Sequence, residues 1–208
     1  MKSFNPSKTV KNLKLRTVGS GGEALGEDLL EWGKEILGVG INEFYGQTEC
    51  NLTVSNCGAI MPTKQGSIGK PVPGHEVRIV DYKGEFIKEP GLDGEIIVKS
   101  DTPVSFLKYW ENDAATKEKV KNGWLHTGDF GYKDEEGYFY FKGRKDDIIN
   151  TSGYRVGPSE VEDAVLSHPK VSMVAVIGIP DKLRGHIIKA FVVPSCLLYT
   201  SPSPRDNR

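Results

Sequence analysis

Residues 13–45 read LKLRTVGSGGEALGEDLLEWGKEILGVGINEFY, and this stretch predicts how the chain begins to fold. Residues 13–18 have the composition of a short strand, and the glycines after them favour a tight turn. Apolar residues recur at helical spacing over 23–37, and Gly38 is placed to end that helix in a left-handed conformation. A second strand over 41–45 completes a βαβ-like unit, so we expect a largely parallel sheet that continues upstream of residue 1.

Two further patterns follow along the chain. From about residue 66, short strands alternate with glycine turns, which predicts a mostly antiparallel β-rich region. Within it, Asn112-Asp113 can cap a short polar helix. After residue 144 we expect a hairpin over 146–156, a helix over 158–168 and two core strands. The buried face of that helix is predicted to contain Val161, Ala164 and Val165.

The predicted fold class is therefore α/β combined with α+β. Residues 1–65 form the end of a large α/β domain, and residues 66–144 form a β-rich subdomain. Residues 145–194 begin a small α+β domain. Residues 195–208 are rich in Ser and Pro and have no periodicity, so we interpret them as a tail foreign to the domain.

Composition excludes several classes of protein. The 208 residues carry 27 Lys+Arg against 28 Asp+Glu, so no global field exists to hold nucleic acid or an anionic membrane surface. The three cysteines, Cys50, Cys57 and Cys196, lack paired metal-ligand spacing, and we expect reduced thiols. No apolar run approaches the ~20 residues of a membrane span. We expect a cytoplasmic protein, or one of the mitochondrial matrix in a eukaryote.

The first glycine cluster is open to two interpretations. Gly19-x-Gly21-x-x-Ala24 follows a predicted strand, opens a helix and precedes Glu43 by about 20 residues, which matches a dinucleotide-binding fingerprint. An NAD-dependent oxidoreductase is therefore one alternative. A tight strand-to-helix turn in any α/β protein fits the same residues equally well.

Three other clusters carry groups suited to a nucleotide. Residues 45–49 (YGQTE) combine an aromatic face, a glycine, two hydrogen-bonding groups and a carboxylate able to hold Mg²⁺. Residues 124–129 (WLHTGD) place Asp129 where it can accept both hydroxyls of a ribose. The segments 143–147 (GRKDD) and 152–158 (SGYRVGP) add cations and glycines. Each cluster alone is also compatible with a polar turn.

Taken together and in this order, the four clusters resemble the adenylate-forming superfamily, most closely acyl-CoA synthetases of the medium-chain type. The resemblance covers roughly residues 10–194 and outweighs the dinucleotide alternative. It implies an enzyme that joins a carboxylic acid to ATP as an acyl-adenylate, releases pyrophosphate, and then transfers the acyl group to the thiol of CoA. The implied cofactors and co-substrates are ATP, Mg²⁺ and CoA.

The resemblance also implies roles for the residues of the α/β and β-rich parts, which would make residues 1–65 part of a nucleotide-binding subdomain. Thr48 would hydrogen-bond the α-phosphate and Glu49 would hold Mg²⁺, so both are the predicted catalytic residues. Asp129 would bind the ribose. The remaining adenine-side positions are the backbone at Gly21, Gly22 and Glu23, the stacking ring of Tyr45, and its loop neighbours Gly46 and Gln47.

Beyond residue 143 the resemblance implies a domain movement and a path for CoA. Arg144 would reach the ribose and phosphate, and Asp146 would be the hinge of the small domain. The positions implied for CoA or for phosphates are Ser152, Gly153, Tyr154, Arg155 and Arg184.

The sequence departs from the family at its ends, and other functions stay open. Neither a phosphate loop before residue 19 nor the adenylation lysine of the C-terminal loop is matched, so we expect a fragment that is inactive alone. Carrier-protein loading, a luciferase-like activity and a non-catalytic nucleotide-binding module are alternatives. We interpret His126 as a packing or hydrogen-bonding residue of the Asp129 loop, not as a general base.

Overall fold

The computed structural model describes residues 13–22 and 25–195, and these residues form two compact units that divide between Phe141 and Lys142. Each unit is described by itself. No helix within the described ranges has both the length and the apolarity needed to cross a bilayer.

The first unit opens with a small sheet that has the order β1-β2-β3-β4. Its strands are β1 (Val18–Ser20), β2 (Ile41–Gln47), β3 (Asn51–Ser55) and β4 (Lys70–Pro71). Only β1 and β2 pair in parallel, whereas the other two pairings are antiparallel. The predicted βαβ-like unit is therefore confirmed. The continuation of the parallel sheet expected upstream lies outside the described residues.

The helix of this unit is shorter than the apolar periodicity predicts. α1 (Glu27–Trp32) passes into a π-helical turn (Gly33–Leu37), and Gly38 ends it with a φ of 71°. The left-handed stop at Gly38 is therefore confirmed. The strand predicted over 13–18 begins only at Val18, where Ile41 is its partner in β2, and Leu13 before it is 54 % exposed.

A second, antiparallel sheet completes the first unit. Its strands are β5 (Val77–Val80), β6 (Gly94–Lys99), β7 (Val120–Lys121), β8 (Trp124–Lys133) and β9 (Phe139–Arg144), in the order β5-β6-β8-β7 with β9 paired to β8. α2 (Asp113–Lys119) precedes β7. The Asn112 side chain accepts a 3.0 Å hydrogen bond from the Ala115 N–H, so the predicted helix cap is confirmed.

One apolar core joins the two sheets of this unit. Ile96, Val98 and Leu125 are fully buried and pack in one cluster with Val54 of β3 and with Cys50 of the turn between β2 and β3. This continuity fixes the end of β2 against β6 and β8. The candidate site lies in this region, so its backbone is held by the core.

An aromatic and cationic cluster covers another part of the second sheet. The Trp124 ring meets Phe86 edge-on at 5.4 Å between centroids, and Arg78 lies 5.5 Å and Lys99 5.0 Å from the centre of the Trp124 ring. Such contacts partly shield an indole ring from water and place positive charges next to it.

Up to residue 195, the second unit consists of a sheet with the order β11-β10-β13-β12 and one helix, α3 (Pro158–Leu166). Its strands are β10 (Ile149–Thr151), β11 (Tyr154–Val156), β12 (Val171–Asp181) and β13 (Gly185–Pro194). β10 and β11 form the predicted hairpin. Its two turn residues, Ser152 and Gly153, have φ angles of 51° and 86°, the backbone of a tight hairpin turn.

α3 corrects one detail of the predicted buried face. Val161 and Val165 are partly buried, but Ala164 is exposed. Glu162 lies on the packed side instead, where its Oε1 accepts a 2.8 Å hydrogen bond from the Val176 N–H of β12. The helix therefore turns its 161/162/165 side to the sheet, and this places Ala164 towards solvent.

Candidate active site

A bulge in β8 positions Asp129. On β6, Glu95 pairs with Phe130 and Ile97 with His126, so residues 127–129 of β8 stand opposite Ile96 alone. Gly128 takes a φ of 75° at this point, a conformation that favours glycine.

Thr127 fixes the bulge through its hydroxyl. Its Oγ1 donates to the Ile96 carbonyl at 2.6 Å and accepts the Asp129 N–H at 3.0 Å. The backbone before and after Gly128 is therefore tied to β6, and the Asp129 carboxylate is held at one place on the sheet.

The Asp129 carboxylate gathers two other predicted site residues. Its Oδ2 accepts hydrogen bonds from Tyr45 Oη and from Gln47 Nε2, each at 2.6 Å. Asp129 is only 4 % exposed, so these contacts are formed away from bulk water. The structure thus brings together residues that are more than 80 positions apart in the sequence.

Burial raises the pKa of Tyr45 well above its ordinary value, and the negative charge of Asp129 raises it further. The phenol therefore stays protonated and donates to the carboxylate at neutral pH. Its ring packs 6.2 Å from that of Phe141, measured between centroids.

The loop that carries Tyr45 depends on a glycine. A Cβ at Gly46 would collide with the Asn51 carbonyl, because the register of β2 and β3 shifts at this point and Asn51 itself has a φ of 54°. Thr48 and Glu49 follow in the turn, where Thr48 is exposed. The predicted YGQTE cluster therefore straddles the end of β2 and the turn after it.

The Glu49 side chain is held by a residue that the sequence patterns do not single out. Tyr109 Oη donates to Glu49 Oε1 at 2.5 Å, and the Phe106 N–H donates to the Glu49 carbonyl at 2.8 Å. Burial and then the hydrogen bond to Glu49 raise the pKa of Tyr109 to about 12. This phenol is therefore a hydrogen-bond donor throughout the neutral range.

The donor set around Glu49 fits Mg²⁺ held jointly with a nucleotide. Mg²⁺ is commonly bound through one or two carboxylates together with substrate phosphates. Glu49 supplies a carboxylate in a turn, and no group of three or more His, Cys, Asp or Glu residues in the described ranges is arranged to hold a metal by itself.

Lys119, the last residue of α2, makes a second contact that sequence reasoning misses. Its Nζ donates to Gln47 Oε1 at 3.2 Å and to the Thr127 carbonyl at 3.1 Å. The only relevant sequence signal is the helix that Asn112 caps, since a lysine in a polar helix ordinarily faces solvent.

The first glycine cluster is shaped by Phe44. A Cβ at Gly21 would collide with the Phe44 ring, and Gly22 has a φ of 98°. Glu23, the third predicted adenine-side position, lies outside the described residues. Glu43 is 7 % exposed and its Oε1 accepts the Leu25 N–H at 2.9 Å, so the acid required by the dinucleotide alternative binds the chain's own backbone.

The contacts of His126 and the burial of Cys50 are consistent with structural roles. His126 Nδ1 lies 3.3 Å from Glu95 Oε2, and the other oxygen of Glu95 accepts the Gly128 N–H at 3.1 Å. The interpretation of His126 as a hydrogen-bonding residue of the Asp129 loop is thus supported. Cys50 is a buried free thiol and Cys57 is also free, while burial raises the pKa of Cys50 and keeps it un-ionised.

The remaining predicted positions belong to the second unit. Arg144 and Asp146 are exposed at the end of β9 and in the turn after it, where the Arg144 carbonyl accepts the Asp147 N–H at 3.0 Å. At the hairpin, the Ser152 N–H donates to the Arg184 carbonyl at 2.9 Å, which brings these two residues together. Gly153, Tyr154 and Arg155 are exposed beside them.

Comparison with known proteins identifies the family. Residues 2–110 match the model of the AMP-binding enzyme family, and residues 160–201 match that of the AMP-binding enzyme C-terminal domain. The second match extends past residue 195, where the predicted foreign tail begins.

Curated relatives are acyl-CoA ligases. The chain is 42 % identical over 181 residues to 4-hydroxybutyrate--CoA ligase 1 of Metallosphaera sedula, which covers 86 % of the chain and 32 % of the relative. It is 45 % identical over 177 residues to the human mitochondrial acyl-coenzyme A synthetase ACSM2B, which covers 84 % of the chain and 30 % of the relative. The chain thus spans about a third of the length of these relatives.

Solved structures similar to this chain also include CoA ligases and synthetases. The o-succinylbenzoate CoA synthetase of Bacillus subtilis in complex with its acyl-adenylate intermediate is similar with a TM-score of 0.81 and 35 % identity, over 92 % of this chain and 39 % of that one. The anthranilate CoA ligase AuaEII in complex with anthranoyl-AMP is similar with a TM-score of 0.80 and 35 % identity. This similarity covers 90 % of this chain and 36 % of that one. The chain therefore belongs to the AMP-binding enzyme family, among the adenylate-forming acyl-CoA ligases.

Proposed function

We propose that this chain supplies nucleotide- and CoA-binding elements of an acid–CoA ligase that acts on a medium-chain fatty acid. The observation that carries the proposal is the buried Asp129 carboxylate held by Tyr45 and Gln47. A fixed carboxylate of this kind suits a pair of ribose hydroxyls, with the Tyr45 ring available to the adenine.

The chemistry to be served has two steps. A carboxylate oxygen of the acid bonds to the α-phosphorus of ATP, and pyrophosphate leaves with the electrons of the broken P–O bond. The CoA thiol, after losing its proton, then bonds to the acyl carbon, and AMP leaves. The first step brings two anions together, so hydrogen-bond donors and cations must offset the charge at phosphorus.

We assign Thr48 and Glu49 to that first step. The exposed Thr48 hydroxyl is a donor for the α-phosphate, and the Glu49 carboxylate, held by Tyr109, is the Mg²⁺ ligand. When bound, Mg²⁺ would neutralise phosphate charge. We also assign the backbone at Gly21, Gly22 and Gly46 to the base and sugar. A Cβ at Gly22 would meet nothing within 4 Å, whereas Phe44 and Asn51 occupy the Cβ side of Gly21 and Gly46.

We assign the second unit to CoA and to the movement between the two steps. Ser152, Gly153 and Tyr154 are proposed to line the path of the thiol arm, and Arg155 and Arg184 to pair with phosphates. Arg144 is proposed to contact the nucleotide and Asp146 to act as the hinge. The exposure of these side chains is compatible with such roles.

Nucleotide binding by this chain tests the proposal. In isothermal titration calorimetry we expect binding of ATP and AMP and no saturable binding of NAD. Asp129→Asn should weaken AMP at least tenfold. The Asn amide keeps one acceptor oxygen for Tyr45 and Gln47, but its NH₂ group replaces the second carboxylate oxygen and cannot accept the ribose hydroxyls. Asp101→Asn, at an exposed acid of the same unit, is the matched control and should bind like the wild type.

Binding of NAD without AMP would overturn the proposal. The acid class is tested separately on the complete ligase of which this chain is proposed to supply elements, because we expect the chain alone to be inactive. Pyrophosphate release from ATP and Mg²⁺ is measured with octanoate, 4-hydroxybutyrate and anthranilate. Preference for octanoate supports a medium-chain acid, whereas preference for anthranilate would reassign the substrate to the aromatic acids.

A further inference from the structure

α2 and the residues before it bring two side chains to the loop that ends β2. Tyr109 reaches Glu49, and Lys119 reaches Gln47. The Lys119 contact extends further, because Lys119 also binds the Thr127 carbonyl within the β8 bulge. One ammonium group therefore touches both the partner of Asp129 and the segment that carries it.

The three side chains form a directed chain of hydrogen bonds. Lys119 donates to Gln47 Oε1, and Gln47 Nε2 donates to Asp129 Oδ2 at 2.6 Å and to the Thr127 carbonyl at 2.9 Å. A cation at Oε1 polarises the amide and strengthens the bonds that its NH₂ donates. It also holds the amide in the one orientation that presents nitrogen to Asp129.

The helix that delivers Lys119 is itself fixed. Asn112 caps its first turn, and the Thr116 hydroxyl donates to the Asn112 carbonyl at 3.0 Å while accepting the Tyr109 N–H at 3.0 Å. Lys119 is half-buried, whereas Lys117 of the same helix is exposed. The two lysines thus form a natural pair of test and control.

We propose that Lys119 is a positioning residue of the nucleotide site, which acts through Gln47 and the Thr127 carbonyl to set the Asp129 carboxylate for the ribose hydroxyls. This inference rests on the proposed function of Asp129. It adds a requirement for a cation that does not itself bind the nucleotide.

The test compares two ligands and three variants. Lys119→Met removes the ammonium and keeps the side-chain length, Lys119→Arg restores a cationic donor, and Lys117→Met is the control. Affinities for AMP and for 2′,3′-dideoxy-AMP, which lacks both ribose hydroxyls, are measured by calorimetry on the whole chain.

We expect Lys119→Met to weaken AMP about tenfold, which is the loss typical of one hydrogen bond to a charged group. Binding of dideoxy-AMP should change less than about twofold, because its sugar makes no use of the Asp129 geometry. Lys119→Arg should recover most of the AMP affinity, and Lys117→Met should match the wild type. Equal losses for both ligands, or no loss for either, would overturn the proposal.

A measurement without nucleotide separates this inference from the proposed function. The ¹⁵N side-chain amide signals of Gln47 are followed in the free protein. They should shift in Lys119→Met and return towards their wild-type positions in Lys119→Arg, but stay in place in Lys117→Met. An unchanged Gln47 signal in Lys119→Met overturns the inference, whereas failure of the wild type to bind AMP overturns only the proposed function.

Discussion

At the scale of single residues, the candidate site depends on a few side chains whose positions are fixed by hydrogen bonds and by the backbone conformation. Asp129 accepts two short hydrogen bonds on one oxygen, and its backbone is held by Thr127 and by the left-handed Gly128. A buried carboxylate is stable only while its donors are in place, because an unpaired charge away from water is costly.

Gly128→Ala should destabilise the first unit by about 1–2 kcal/mol, because an L residue is strained at a φ of 75°. Urea unfolding measures this change. Gly40→Ala is the control, since a Cβ at Gly40 meets nothing within 4 Å and its φ lies outside the left-handed region. If Gly128→Ala and Gly40→Ala had equal unfolding free energies, Ala at position 128 would not be strained by the left-handed backbone of the bulge.

Tyr109 gives the protein a pH dependence at high pH. Its pKa of about 12 in the folded protein exceeds the ordinary value of 10.0, so the folded chain keeps a proton that the unfolded chain loses between these values. The stability from this proton is fully present below pH 10 and is lost as the pH rises towards 12.

Tyr109→Phe should therefore reduce the fall in unfolding free energy between pH 10 and pH 11.5 relative to the wild type. Urea unfolding at a series of pH values gives the two slopes. Parallel slopes would show that the phenol is not bound to Glu49 in the folded state.

At the scale of elements, predictions succeeded where local chemistry decides the structure. Gly38 ends its helix and Ser152-Gly153 forms the hairpin turn, because each needs only a backbone conformation that those residues permit. The strand predicted over 13–18 failed because β1 exists only where β2 offers a partner, starting at Val18 opposite Ile41. Pairing of this kind is not visible in a local pattern.

The short helix α2 is stabilised locally by its Asn112 cap, and its last residue, Lys119, contacts Gln47 of β2. Asn112→Ala should cost about 1 kcal/mol of stability, because the Ala115 N–H loses its acceptor. Asn112→Asp retains an oxygen at the cap and should remain close to the wild type, as measured by thermal or urea unfolding. Equal losses in both variants would indicate that Asn112 acts through some contact other than its cap oxygen.

At the scale of the whole molecule, an exposed turn follows β9 a few residues after the division of the chain between Phe141 and Lys142. Arg144, Lys145 and Asp146 are all exposed there. Limited trypsin digestion should cut the Arg144–Lys145 bond before bonds inside the strands and helices of either unit, because exposed turns are preferred cleavage sites. The double variant Arg144→Gln/Lys145→Gln should lose this early cut. First cleavage within β6 or β12 would contradict the exposure of this turn.

The extent to which the site is predictable also depends on scale. Tyr45, Gln47 and Asp129 lie in short polar clusters whose order along the chain resembles that of the adenylate-forming superfamily, and this resemblance predicts them as site residues. Tyr109 and Lys119 lie 60 and 72 positions from the residues they bind, and a tyrosine or lysine in a polar segment carries no signal of such a contact. Only folding of α2 against the end of β2 reveals them.

The aromatic cluster around Trp124 has a practical consequence for spectroscopy. The chain has three tryptophans, Trp32, Trp110 and Trp124, and all precede the division at Phe141. Emission excited at 295 nm therefore reports on the first unit, with Trp124 flanked by Arg78 and Lys99 and Trp110 exposed to quenchers. The second unit is silent in such a recording, so a single tryptophan placed in β12 would let the two units be followed independently.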